Sequence, residues 1–457
     1  MRVKREQKRY EMDMTQGSIL KKMMLFAIPL MFSGILQLLF NAADIIVVGR
    51  FAGDDSLAAV GSTSSLINLL TNLFIGLSIG SSVLVARYFG AGEEKALRAT
   101  VHTSMLLSII SGIILTFVGV IGARTILTWM QTPAEVLELA VVYLRIYFIG
   151  MTATMIYNFG SAILRAVGDT QRPLNYLLLA GIINVVLNLI FVIVFHLDVA
   201  GVALATTISQ CVSAILVLRC LMKEPGAIHL DLKALRLDRG RFFRILRIGL
   251  PACFQGIVFS LANVVIQSSV NLFGETVISG NSAAANLEGF VYIAMNAFYQ
   301  SAISFTSQNV GAGKYERINR ITWTALGCVT VVGLLLGNGM LLFGSQLLGL
   351  YTTSPQVVQA GMLRLSIIFP VYALCGMMDT MVGVLRGLGY SVMPMIVSLL
   401  GACALRLVWL ATVFQLEPYH NPTMIYITYP ISWAITLLVH LLCFAVVRSR
   451  LKKKWGI

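Results

Sequence analysis

Charge is what this chain has least of. Only 12% of its 457 residues are Asp, Glu, Lys or Arg, and 20 acids face 34 basic residues. A soluble domain carries roughly a quarter charged residues to cover its surface, so most of this chain must face something other than water. The patterns of catalytic chemistry are missing too. There is no HExxH, no GxxxxGK[ST] loop and no recognisable catalytic Ser or Cys motif, which argues against an enzyme and against direct ATP hydrolysis. The seven cysteines lie in or beside apolar stretches with no CxxC or Cys/His spacing, which argues against a disulfide framework or a zinc site. No cofactor and no resident metal are expected.

What is present is apolar. The mean hydropathy is +0.83 and 57% of residues are hydrophobic. Apolar runs recur along the whole chain, several at or beyond the roughly 20 residues that cross a hydrocarbon core as a helix. The short alternating segments of a β-barrel are not seen. The runs between charged and Gly/Pro breaks predict an all-α membrane protein with twelve transmembrane helices in two six-helix bundles. Residues 1–22 form a basic tail, 23–218 the first six helices, 219–247 a basic connector, 248–447 the second six and 448–457 a second basic tail.

With both termini placed in the cytoplasm, every Lys and Arg falls in an inner segment except Arg50 and Arg124 in outer loops and Arg145, Arg364 and Arg406 inside spans. That bias sets the orientation. It also accounts for the net charge of +14 without nucleic acid as a partner. The first tail lacks a small-residue cleavage site and reads as a retained segment, not a signal peptide. The connector, with Lys223, Lys233, Arg236, Arg239, Arg241 and Arg244, reads as an amphipathic stretch at the anionic inner leaflet. A bacterial-type inner membrane is the expected location.

The two halves repeat. One offset places Pro29 on Pro251, Gly34 on Gly256, Asn41 on Asn263, Val48 on Val270 and Phe51 on Phe273. After a one-residue gap, Gly90-Ala91-Gly92 meets Gly311-Ala312-Gly313, Leu164-Arg165 meets Leu385-Arg386, Gly168 meets Gly389 and Pro173 meets Pro394. Six spans per half means that both halves enter the membrane in the same direction, related by a pseudo-two-fold axis along the membrane normal.

Ionisable side chains inside a bilayer are expensive, so each is a candidate functional group. In the first half the clear acid is Asp44, which shares a helix face with Gln37 and Asn41. Asn184 and Asn188 form a second polar face, and Thr206 adds a hydroxyl at a similar depth. The amides and the hydroxyl can equally be hydrogen-bond glue between helices. In the second half Asp44 maps to Ile266, and the charges are Glu288, Asp379 and Arg406. Glu288, in an eighth span drawn over 281–307, and Arg406 lie at similar depth from the outer face, which predicts a buried ion pair; a substrate role is the alternative.

The first helix and its exit, Pro29 then Asn41-Ala42-Ala43-Asp44 and Val48-Gly49-Arg50-Phe51-Ala52-Gly53, resemble the multidrug and toxic compound extrusion (MATE) family. So do Leu57-Ala58-Ala59-Val60-Gly61, Leu164-Arg165-Ala166-Val167-Gly168-Asp169-Thr170 and Gly201-Val202-Ala203-Leu204-Ala205-Thr206. The resemblance covers nearly the whole chain. It implies a V-shaped pair of six-helix lobes, functional as a monomer in the lipid bilayer, that exchanges a small organic, often cationic, compound for H⁺ or Na⁺. The same superfamily contains lipid-linked oligosaccharide flippases, the alternative function, although the peptidoglycan-precursor type usually has two further helices.

By this resemblance Asp44 matches the aspartate that carries the coupling ion in some relatives. Asn184 matches their Asn, Thr206 their Thr, and Tyr143 a tyrosine of the same network. Asn188 stands where they carry a second Asp, which weakens the case for tight Na⁺ binding. A single Asp can still carry H⁺, or hold a transient Na⁺ with neutral oxygens. Asp379 resembles a tenth-helix aspartate of another branch, while the seventh-helix glutamate of that branch is missing from Phe254-Gln255-Gly256-Ile257-Val258-Phe259.

Overall fold

Inside a bilayer a backbone N–H or C=O has no water to bond, so a single segment satisfies its own groups only as a helix. The computed structural model of this chain follows that rule. It describes residues 10–455; residues 1–9 and 456–457, the outer parts of the two basic tails, lie outside the described residues, as do the side chains of Asp54, Ser65, Asn72, Leu73, Lys454 and Trp455. Among the described residues there is no strand.

The first half comprises α1 (Ile19–Phe51), α2 (Asp54–Ala91), α3 (Glu94–Trp129), α4 (Ala134–Ile149), α5 (Met151–Ala166), α6 (Gln171–Leu189) and α7 (Asp198–Lys223). The second comprises α8 (Arg239–Asn271), α9 (Glu275–Gly311), α10 (Arg317–Leu342), α11 (Gly344–Gly349), α12 (Pro355–Ile368), α13 (Ala373–Gly387), α14 (Val392–Ser398), α15 (Leu405–Ala411), α16 (Pro422–Tyr426) and α17 (Thr428–Trp455). A π-helical turn, Ile190–Val194, prolongs α6, and another, Leu399–Ala404, joins α14 to α15.

Among the described residues nine helical segments are long and apolar enough to cross a membrane alone, and the bent pairs α4–α5 and α12–α13 bring the number to eleven. The twelfth span is α9. Its 37 residues suffice in length, but Asn281, Asn286, Asn296, Gln300, Gln308 and Asn309 lower its hydropathy. It tolerates them because it packs against α10, α12 and α13 and because Asn281, Gln308 and Asn309 are buried in protein.

The repeat extends to backbone geometry. The fourth span of each half is broken, by 45° at Gly150 between α4 and α5 and by 51° at Tyr372, where the turn Phe369–Val371 that prolongs α12 meets α13. The offset that lays Gly168 on Gly389 also lays the start of α4 on the start of α12 and the end of α5 on the end of α13. Gly168 and Gly389 turn the chain after these spans with φ of +97° and +99°, and Gly92 and Gly313 after the second spans with +72° and +69°. A side chain at such a φ is strained.

The chain forms two compact units. Among the described residues the first holds 10–13 and 32–253, the second 14–31 and 254–455. Both helices that change unit do so at the same place in the repeat, two residues after Pro29 in α1 and two after Pro251 in α8. In the first unit α3 lies tightly on α4 and α5: a Cβ on Gly119 would fall 2.0 Å from the Phe148 ring, and one on Gly112 2.4 Å from the Thr152 backbone. Small residues that let helices approach this closely are how membrane helices gain packing without a hydrophobic drive between them.

Candidate functional site

Of the polar groups singled out in the first half, Asp44, Asn184, Asn188 and Thr206 meet, while Gln37 and Asn41 are exposed. α1 carries Asp44, α6 carries Asn184 and Asn188 one turn apart, and α7 carries Thr206. The Asn188 Nδ2 amide donates a short hydrogen bond to Asp44 Oδ1. It also reaches Asn184 Oδ1 at 3.3 Å, and Asn184 Nδ2 donates to Thr206 Oγ1 at 3.2 Å. Thr206 lies within hydrogen-bonding reach of Asp44 as well. The result is a closed set of oxygens and amides joining three helices, with Asn188 fully buried and Asn184 nearly so.

Tyr143 of α4 is buried beside this set and stacks on Tyr147, ring centroids 6.0 Å apart. Both phenols are near enough to feel the Asp44 charge, but no hydrogen bond joins either to the aspartate among the described residues. Tyr147 was not singled out by sequence; its place one helical turn from Tyr143 was the available signal. Arg145, the arginine on α4, is exposed and donates to the Val120 carbonyl at 3.2 Å. Asp44 therefore has amide and hydroxyl partners and no basic one. The Asn188 Oδ1 atom is buried and makes no hydrogen bond. Hard oxygen donors around one carboxylate can hold a proton or a small hard cation such as Na⁺. Among the described residues no cluster of His, Cys, Asp and Glu is able to hold a resident metal.

The second half is arranged otherwise, and one expectation is corrected. Glu288 does not pair with Arg406. It is clamped by Arg364 of α12, Nε to Oε1 at 2.6 Å and Nη2 to Oε2 at 2.7 Å. The remaining Arg364 nitrogen donates to Asn281 Oδ1 at 2.7 Å, and Asn281 Nδ2 to Gln267 Oε1 at 2.9 Å. The misassignment came from depth. α9 starts at Glu275, ahead of the first strongly apolar residues, so Glu288 sits deeper than a span begun at residue 281 suggests. By helical rise it lies about 20 Å from the helix start.

Arg406 instead donates to Ser432 Oγ at 2.8 Å and lies over the Tyr429 and Trp433 rings, 4.2 and 5.6 Å from their centroids. Asp379, on α13, accepts from the Tyr292 hydroxyl at 3.1 Å. The Asp44 equivalent, Ile266, is packed in an apolar cluster with Val270, Phe414 and Tyr426.

Twelve membrane spans in two repeated sets of six, with polar networks closed between helices at span depth, are the build of a polytopic membrane transporter. The chain belongs to the MatE family, whose model matches residues 29–190 and again 251–411, one match per half. It is 27% identical over 434 residues to "Probable multidrug resistance protein YoeA" of Bacillus subtilis (strain 168), covering 93% of each chain. Over 336 residues it is 26% identical to "FAD transporter" of Shewanella oneidensis, covering 71% of this chain and 73% of that one. A solved structure described as the outward-facing conformation of a multidrug resistance MATE family transporter of the MOP superfamily superposes with a TM-score of 0.90. It is 24% identical, with 98% of this chain and 100% of that chain covered.

Proposed function

We propose that this chain is a secondary active exporter of small organic compounds, working by alternating access and driven by H⁺ or Na⁺ taken up at Asp44. The observation that carries the reading is the set Asp44, Asn188, Asn184 and Thr206, which holds a carboxylate among neutral donors with no basic side chain to neutralise it. A carboxylate left so inside a span needs a proton or a cation to be neutral. Gaining and losing that ion gives the three helices two states. Relatives named as multidrug resistance proteins support export of varied organic compounds; cationic compounds are the first substrates to try. The distribution of Lys and Arg supports a cytoplasmic position for both termini.

The test is transport of a fluorescent organic cation in proteoliposomes under an imposed pH gradient and, separately, an imposed Na⁺ gradient. Accumulation against the substrate gradient under one of them is expected. Equal movement with and without any ion gradient would refute exchange. Labelling of a single-cysteine probe near Lys233 only from the inside is expected; labelling from outside would reverse the orientation.

A further inference from the structure

The first unit contains a cavity that the Asp44 network does not use. It measures about 870 Å³ and is lined by Lys95, Arg98, Ala99 and His102 of α3 and by residues 233–239 of the connector and the start of α8. Lys95, Arg98, Lys233, Arg236 and Arg239 line it, and a single acid, Asp238, stands among them. That acid is already engaged. Asp238 Oδ1 accepts from the Arg241 backbone N–H at 2.9 Å and Oδ2 from Arg241 Nη1 at 2.5 Å. Glu93 and Glu94 precede α3 or begin it but do not line the cavity. None of the five lining cations has a carboxylate or other side-chain partner among the described residues.

The walls are fixed. His102 Nδ1–H donates to the Arg98 carbonyl at 2.8 Å, so its Nε2 is free to accept the Asp231 N–H at 3.2 Å, a pattern that requires the neutral ring. The Asp238 N–H donates to Thr103 Oγ1 and Arg241 Nε to the Ala96 carbonyl, both at 3.2 Å. The connector is thus strapped to α3 before, at and after the cavity. Five cations held around one concavity repel one another and focus a positive potential into it. α3 and α8 both begin there, and the N-terminal ends of helices favour anions. Lys and Arg together match phosphate oxygens by charge and by fork geometry.

We propose that this cavity binds a phosphate-bearing anion. Leu232, Leu237 and Phe243, all exposed on the same stretch, favour a membrane lipid headgroup over a soluble phosphate as its source, since cations mixed with exposed apolar side chains suit the bilayer interface. Nothing in the proposal depends on the coupling ion or on what is transported.

The test uses the purified full-length protein in detergent with three probes: dioctanoyl phosphatidylglycerol, dioctanoyl phosphatidylcholine and inorganic phosphate. Binding is read by native mass spectrometry. Phosphatidylglycerol should be retained and phosphatidylcholine should not. The variant Lys95→Gln/Arg98→Gln/Arg236→Gln should bind phosphatidylglycerol about tenfold or more weakly, while Arg450→Gln/Lys452→Gln on α17 should bind as the parent. A second variant, Lys233→Gln/Arg239→Gln, repeats the loss from the connector side. All these side chains are exposed, and an unchanged melting temperature without lipid confirms folding. Inorganic phosphate binding as tightly as the lipid, and lost in the same variants, would keep the phosphate site and assign it a soluble ligand. Phosphatidylglycerol retained equally by both variants, or no binding of phosphatidylglycerol or of inorganic phosphate, would overturn it.

Discussion

In the first half Asp44 sits inside a span with only amide and hydroxyl partners, whereas in the second half Glu288 is gripped at both oxygens by the Arg364 guanidinium. The backbone around them is the same device twice, down to the broken fourth span and the matching positive φ of Gly168 and Gly389. Duplication has preserved the scaffold and let the chemistry diverge. A neutralised pair is a strut: its two charges satisfy each other and have little reason to move. An acid without a cation is a site, because its protonation or ion occupancy can change. Ile266, standing in the apolar cluster where Asp44 would repeat, marks the position at which the halves parted.

Substitutions on either side put that contrast to the test. The largest effect is expected at Asp44. Asp44→Asn keeps the shape and the Asn188 contact but removes the ionisable group, so gradient-driven export in proteoliposomes should vanish while the melting temperature in detergent stays near that of the parent. Export at the parental rate would place coupling elsewhere, with Asp379 the next residue to test. Next comes the strut. Glu288→Gln or Arg364→Gln leaves a buried charge unpaired, a loss of about 3 to 5 kcal/mol, read by unfolding in detergent. The double variant should regain part of the loss, and a double loss equal to the sum of the singles would deny the pairing.

The shared scaffold predicts a smaller, matched pair of effects. Gly168→Ala and Gly389→Ala each force a side chain into a disfavoured φ at a cost of about 1 to 3 kcal/mol. Gly168→Ala should cost the more of the two, because its Cβ would also fall 2.4 Å from Met12 Cβ. Melting temperatures will show whether both halves suffer; a neutral result at either glycine would separate the two turns. Least in size is Asn188→Asp, which adds a second carboxylate beside Asp44. It should raise the rate under a Na⁺ gradient relative to that under a pH gradient, and a ratio unchanged from the parent would mean that this position does not tune the ion.

Much of the scaffold was legible in the sequence because bilayer helices declare themselves by apolar length and because Gly and Pro recur in register. Asp44, Asn184, Asn188 and Thr206 could be grouped from helical spacing and depth alone, and the structure joins them. The partner of Glu288 could not be. Hydropathy marks where a helix meets lipid, and α9 is walled in by α10, α12 and α13, so its apolar run begins later than the helix itself. Arg364 stood inside a span in plain sight, but which two of three buried charges meet depends on how helices rotate about their axes, and no periodicity records that. Tyr292 over Asp379 and the cage of Tyr429 and Trp433 around Arg406 were hidden for the same reason.

The change of unit within α1 also bears on the order in which the protein can be built. Residues 14–31 belong with a unit whose other members begin at residue 254. The Met14 N–H finds Gln308 Oε1 at 3.0 Å, and Lys314 Nζ finds the Thr15 carbonyl at 2.8 Å, 299 positions along the chain. At a synthesis rate of about 5 to 20 residues per second, the ribosome spends tens of seconds between making that first segment and making its partners. α1 must therefore wait in the membrane half assembled, and a first half produced on its own would hold residues 14–31 without the unit they dock against.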